Sequence, residues 1–146
     1  MGGPARPATI TPATCNAGGA ARWQDGSVEL RCVIVDDDER FLRAATTSLE
    51  RGGTVVAGVA GSCATALQRV VALRPDVVLI DIRLDSESGF DVARDLATNG
   101  CAAALIMIST HAEADYSELI AESPVAGFLH KTELSGDAIR RVLRMG

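Results

Sequence analysis

Six residues whose side chains could do chemistry together stand where apolar runs end. Asp36, Asp37 and Asp38 follow Cys32-Val33-Ile34-Val35, and Asp81 follows Val77-Val78-Leu79-Ile80. Ser109 follows Leu105-Ile106-Met107-Ile108, and Lys131 follows Ala126–His130. Carboxylates that face one another repel, and burying them uncompensated is costly. A hard divalent cation removes the conflict: Mg²⁺ takes carboxylate and carbonyl oxygens octahedrally and keeps several waters. A lysine and a hydroxyl beside it supply a point charge and a hydrogen bond to phosphoryl oxygens. The set therefore reads as an aspartate that accepts a phosphoryl group with metal help. Singly, each residue is weak evidence, since an Asp after a strand is usually a turn residue or a helix cap. The weight lies in the order: acid pair, acid, hydroxyl and lysine, each behind its own apolar run.

Short continuous apolar runs suit strands buried on both faces of a parallel sheet. Between them, apolar residues recur at helical spacing. Phe41, Leu42, Ala45 and Leu49 form one helix, stopped by Gly52-Gly53. Thr54–Val59 reads as a second strand. Ser62 is an N-cap for a helix carrying Ala66, Leu67, Val70 and Leu73, which Pro75 ends. A loop from Arg83 to Gly89 precedes a short helix with Phe90, Val92, Ala93 and Leu96. Leu119 and Ile120 mark a weaker helix, and Leu134 to Leu143 a final amphipathic one with Ser135 near its start. Alternating strands and helices imply an α/β fold, a parallel sheet with helices on both faces and right-handed crossovers. In such open sheets ligands bind at the carboxyl ends of the strands, where these six residues fall.

The composition bounds the answer. The chain has 146 residues, one domain's worth, with 47% apolar and 23% charged residues, so a packed core is expected. Aromatics are only 3%, so that core must be aliphatic. Fourteen Lys and Arg against nineteen Asp and Glu leave a net charge of −5, which argues against direct binding to a nucleic-acid backbone. The longest apolar run, Cys101–Ile108, is far short of the roughly 20 residues of a membrane span. No apolar block of a secretory signal precedes Gly19. Cys15, Cys32, Cys63 and Cys101 form no C-x-x-C pair and read as free thiols of a cytoplasmic protein. Residues 1–29, rich in Gly, Pro, Ala and Thr, read as a flexible tail, with Trp23 its one bulky side chain. Residues 30–146 read as the folded domain.

The runs Val33-Ile34-Val35-Asp36-Asp37-Asp38, Val77-Val78-Leu79-Ile80-Asp81 with Gly89 eight residues on, Ile106-Met107-Ile108-Ser109 and Gly127-Phe128-Leu129-His130-Lys131 resemble the receiver domain of bacterial two-component response regulators. The resemblance covers about residues 30–145. It implies a flavodoxin-like five-stranded parallel sheet of order 2-1-3-4-5. It implies Asp81 as phosphoacceptor, Asp37 as a direct Mg²⁺ ligand, Asp36 as a ligand through water or an orienting group, and the backbone carbonyl of Arg83 as a further ligand. Ser109 would hydrogen-bond the phosphoryl group, Lys131 would pair with it, and Phe128 would be an aromatic switch that turns inward as Ser109 moves. Asp38 would be a first-turn acid that favours the helix dipole. Arg83 and His111 would flank the attacking water and tune the phosphoryl lifetime. Two departures stand out: Asp85 and Thr132 occupy positions where the family often has proline. The run from Lys131 to Ser135 resembles receivers that carry a helix-turn-helix output domain.

The implied partners are a histidine kinase or phosphotransfer protein and a downstream protein target, with neither nucleic acid nor membrane contacted directly. A homodimer formed on phosphorylation fits the same picture. Because the sequence stops directly after the final helix, output is expected through protein contacts, in a stand-alone receiver that catalyses only its own phosphorylation and dephosphorylation. Two other readings compete. A haloacid-dehalogenase-like phosphatase would use the D-x-D within Asp36–Asp38, but Arg40 stands where that motif wants Thr or Val, and Asp81 goes unexplained. A phosphorylation-independent receiver-like module would have lost an acid or the lysine, and none is lost here.

Overall fold

The computed structural model describes residues 29–145. Five strands alternate with five helices: β1 Arg31–Val35, α1 Glu39–Arg51, β2 Val55–Ala60, α2 Cys63–Leu73, β3 Val77–Asp81, α3 Gly89–Thr98, β4 Ala104–Ser109, α4 Ser117–Glu122, β5 Gly127–His130 and α5 Gly136–Met145. The strands form one sheet in the order β2-β1-β3-β4-β5, and every pairing is parallel. This is the expected flavodoxin-like arrangement. Of the tail read over residues 1–29, residues 1–28, with Cys15 and Trp23, lie outside the described residues.

Strand periodicity sorts the core into two layers. Val33, Val35, Val78, Ile80, Leu105 and Met107 face α2 and α3, where they meet Ala66, Val70, Phe90, Val92 and Leu96. Their alternates Cys32, Ile34, Val77, Leu79, Ile106 and Ile108 face α1 and α5, against Ala45, Leu49, Ala138 and Ile139. All five residues of β3 are buried. The central strands thus have no polar face, as their unbroken apolar runs demand.

Local signals fix the helix ends. Asp38 is the N-cap of α1, not a residue of its first turn, because its carboxylate accepts hydrogen bonds from the Arg40 and Phe41 amides. Such a cap is worth about 1 kcal/mol. Ser62 caps α2 through the Thr65 amide, as expected. The end of α2 is held by the Arg31 guanidinium, which donates to the carbonyls of Leu73 and Arg74. The last helix starts at Gly136, two residues later than Leu134, because Lys131–Glu133 form a 3₁₀ turn and Leu134 is extended. Ser135 accepts from the Ala138 amide at its start. The weak helix at Leu119 is short and is entered through a 3₁₀ turn, Glu113–Tyr116. The second strand is offset by one residue from the expected Thr54–Val59. It carries a bulge at Ala57, since Cys32 pairs with Val56 and Val33 with Gly58.

The loop after β3 folds back on itself. Arg83 faces Ser88 in an antiparallel bridge, closed by bonds from the Gly89 amide to the Ile82 carbonyl and from the Leu84 amide to the Glu87 carbonyl. Ile82 and Leu84 are buried, so this loop is anchored. Gly89 starts α3 hard against the end of β3. A Cβ there would lie 2.0 Å from the Asp81 carbonyl oxygen, a space only hydrogen can occupy.

Candidate functional site

All the strand-end residues lie along the carboxyl edge of the sheet. Asp36 and Asp81 follow or close adjacent central strands, and both are buried. Asp37 is exposed. Their three carboxylates each place an oxygen within 4.8 Å of the others. Lys131, brought in by β5, reaches between them. Its ammonium is 2.5 Å from Asp36 Oδ2 and 3.4 Å from Asp81 Oδ2. The Asp38 amide donates to Asp36 Oδ1, and the Arg83 amide to Asp81 Oδ1.

The electrostatics follow from this crowding. Burial and the charge of Asp36 push the Asp81 carboxyl up to about 6, against the opposing pull of Lys131 and the Arg83 amide. Burial alone would lower the Lys131 ammonium. The hydrogen bond to Asp36 and the charges of Asp81 and Asp36 outweigh that and leave it above its ordinary value. One cation facing three carboxylates leaves two negative charges in excess, so the edge still favours a positive ion.

The donor set fits Mg²⁺. Neighbouring ligand oxygens on an octahedral ion with bonds of about 2.1 Å stand about 3 Å apart, so the three carboxylates need close by at most about 2 Å. The Arg83–Ser88 bridge uses the amides and carbonyls of the flanking residues. The Arg83 carbonyl is thereby left without a backbone partner among the described residues, free for a fourth contact.

Ser109 is buried at the end of β4, beside this group, but its hydroxyl is engaged elsewhere: it accepts the His111 amide at 3.0 Å. Phe128 is only half-buried, packed beside the α3 side of the core and lining a surface groove. The His111 ring meets Tyr116 edge-on, with centroids 6.3 Å apart. Three residues escaped the sequence reading. Phe41 was expected only as helix core, yet the Lys131 ammonium lies 4.2 Å from its ring centroid, a cation–π platform. Its place in the first turn after Asp38, next to the strand edge, was the available signal. Spacing marks Gly89 but not its role as the close-approach residue. His130 carried no role, although alternation puts it on the same face of β5 as Phe128.

The response regulator receiver domain model matches residues 32–143. The chain belongs to this family. Among curated relatives, the receiver is 33% identical over 118 residues to the transcriptional regulatory protein YvfU of Bacillus subtilis, covering 77% of this chain and 58% of that one. It is 30% identical over 116 residues to the NarL protein of Mycobacterium tuberculosis, covering 79% and 54%. It thus spans about half the length of these curated relatives. Among solved structures, the signal receiver domain of NarL from M. tuberculosis superposes with a TM-score of 0.69 at 28% identity, covering 79% of this chain and 97% of that one. The strand order and the family match leave no place for the haloacid-dehalogenase-like reading. Receivers belong to signalling regulators and are no classical enzyme family. Among the described residues no helix is long and apolar enough to cross a membrane. Cys32, Cys63 and Cys101 are free thiols.

Proposed function

We propose that this receiver accepts a phosphoryl group on Asp81 from a phosphohistidine of a kinase or phosphotransfer protein, with Mg²⁺ held by Asp36, Asp37, Asp81 and the Arg83 carbonyl. The observation that carries this reading is the Lys131 ammonium held between Asp36 and Asp81 at the sheet edge where three carboxylates converge. A carboxylate oxygen of Asp81 attacks phosphorus in line, the P–N bond breaks, and the donor histidine leaves with its electron pair and takes up a proton. Bound Mg²⁺ would neutralise charge on the transferring oxygens. Lys131 pairs with the transferred group. Ser109 turns its hydroxyl from the His111 amide to a phosphoryl oxygen. Space opens behind it for Phe128, and the surface around α4, β5 and α5 changes toward a protein target or a second receiver. The receiver works as a cytoplasmic relay component, without enzymatic turnover of other substrates.

Incubation of the full chain with acetyl phosphate and Mg²⁺ tests the chemistry. Wild type takes up a base-labile, acid-stable label, Asp81→Asn takes none, and Asp37→Asn loses Mg²⁺ affinity. Labelling of Asp81→Asn at wild-type stoichiometry rules out the assignment. A wild type that neither binds Mg²⁺ nor takes label is the phosphorylation-independent module instead. Phe128→Ala keeps the label but loses most of the phosphorylation-dependent change in partner affinity.

A further inference from the structure

His130 stands at the end of β5, in register with Ser109 at the end of β4 and directly before Lys131. Its imidazole is tied on both sides. Nε2 lies 2.7 Å from the carbonyl oxygen of Thr110, the residue after Ser109. Nδ1 lies 2.7 Å from Thr132 Oγ1 and 3.2 Å from the Thr132 amide, the residue after Lys131. A carbonyl oxygen only accepts, so Nε2 carries the hydrogen and donates it. Nδ1 then holds the lone pair and accepts from Thr132. One rigid ring in its neutral Nε2–H form therefore joins the segment behind Ser109 to the segment behind Lys131.

The Ser109 segment is satisfied as it stands: its hydroxyl accepts the His111 amide, and its next carbonyl accepts from His130. In the proposed switch Ser109 moves toward a phosphoryl oxygen on Asp81 as its hydroxyl turns, and this segment moves with it. The Thr110 carbonyl then withdraws from a ring that Thr132 keeps in place. Phe128, two residues back on the same face of β5, lines the same groove of about 400 Å³ as His130, Ala112 and Glu113, so movement here is felt directly beside the aromatic.

We infer that His130 is a positioning residue, a latch that holds the Ser109 segment in its resting place and couples its release to the turn that carries Lys131. This rests on the reading of Asp81 as phosphoacceptor. A latch that favours the resting state taxes the reactive one, because only the fraction of molecules with the segment released reacts well.

The test is the rate of labelling of the full chain by acetyl phosphate and Mg²⁺, followed by intact mass, for wild type, His130→Leu and His130→Gln. Mg²⁺ affinity and the urea midpoint are measured alongside. Leu removes all three bonds, and labelling should run about fivefold faster, which one net hydrogen bond allows, with Mg²⁺ affinity unchanged. Gln retains a donor and an acceptor and should return the rate toward wild type. A merely structural histidine gives the opposite pattern: a lower urea midpoint and slower labelling in the Leu variant. Leu labelling at or below the wild-type rate, in a folded protein with intact Mg²⁺ binding, overturns the latch alone. A wild type without label overturns the phosphoacceptor reading and the latch with it.

Discussion

Gly89→Ala probes the tightest contact in the site. The added methyl would lie 2.0 Å from the Asp81 carbonyl oxygen, 2.8 Å from its carbonyl carbon and 2.9 Å from Ile82 Cα. All three are backbone atoms, so no side-chain rotation relieves the clash. Ordinary contact begins near 3.4 Å, so the start of α3 and the end of β3 must part by about 1.4 Å. That displacement stretches the 2.8 Å bond from the Gly89 amide to the Ile82 carbonyl. Overpacking of this kind costs about 1 to 3 kcal/mol. With a urea slope of about 2 kcal/mol/M, the midpoint should fall by about 1 M at unchanged slope. The peptide that moves is that of Asp81 itself, so labelling by acetyl phosphate should slow as well. Gly52→Ala is the control: its nearest neighbours to a new Cβ are 3.6 and 3.8 Å away, and it should leave the midpoint within about 0.3 M. A Gly89→Ala midpoint matching that control would show that strand and helix part freely, and the reasoning would be wrong.

Lys131→Met removes the only cation that the described residues place between Asp36 and Asp81; without Mg²⁺ it should destabilise by about 3 kcal/mol, and added Mg²⁺ should raise its melting temperature more than it raises that of wild type. Thr54 Oγ1 is buried without a hydrogen-bond partner among the described residues, so Thr54→Val should raise unfolding free energy by about 1 kcal/mol, and a loss of stability would mean the hydroxyl has a partner. Burial first, then the charges of Glu50 and Asp76, push the Cys32 thiol up to about 12 from 9.0. The folded state therefore holds this proton more tightly than the unfolded one. Stability from this group is complete below pH 9 and falls above it by about 1.4 kcal/mol per pH unit. Unfolding from pH 8 to 10.5 should show that extra slope in wild type and not in Cys32→Ala, and native Cys32 should resist thiol reagents.

The fold was legible because its central strands β1, β3 and β4 are buried on both sides. A stretch such as Val77–Ile80 has no amphipathic alternative, so type, direction and neighbours follow from the runs and from the helical spacing between them. The site was legible for a related reason: each chemical residue closes or follows a run. What escaped depends on contacts between distant segments. Alternation cannot tell that Phe41 turns its ring to an ammonium 90 residues away, because the same spacing serves a plain core residue. Nor does sequence show that Asp38 caps rather than enters α1, a matter of one residue's backbone angles. The 3₁₀ turn at Lys131–Glu133 delayed α5, since Leu134 satisfies the helical period without being in the helix.

The ammonium that spans Asp36 and Asp81 comes from 95 residues beyond the first and 50 beyond the second. Until β5 docks, the first and third strands bring their acids together with no cation from the described residues between them. Assembly of the sheet thus ends in an electrostatic closure: the edge strand is drawn in by the charge that the central strands have accumulated. Joining such distant segments is slow, since long loops must close before any contact rewards them. A dissolved divalent ion can stand in for the missing lysine at that stage, so Mg²⁺ should speed the last step of refolding. In a folded molecule whose β5 opens briefly, the same exchange of one cation for the other would run in reverse.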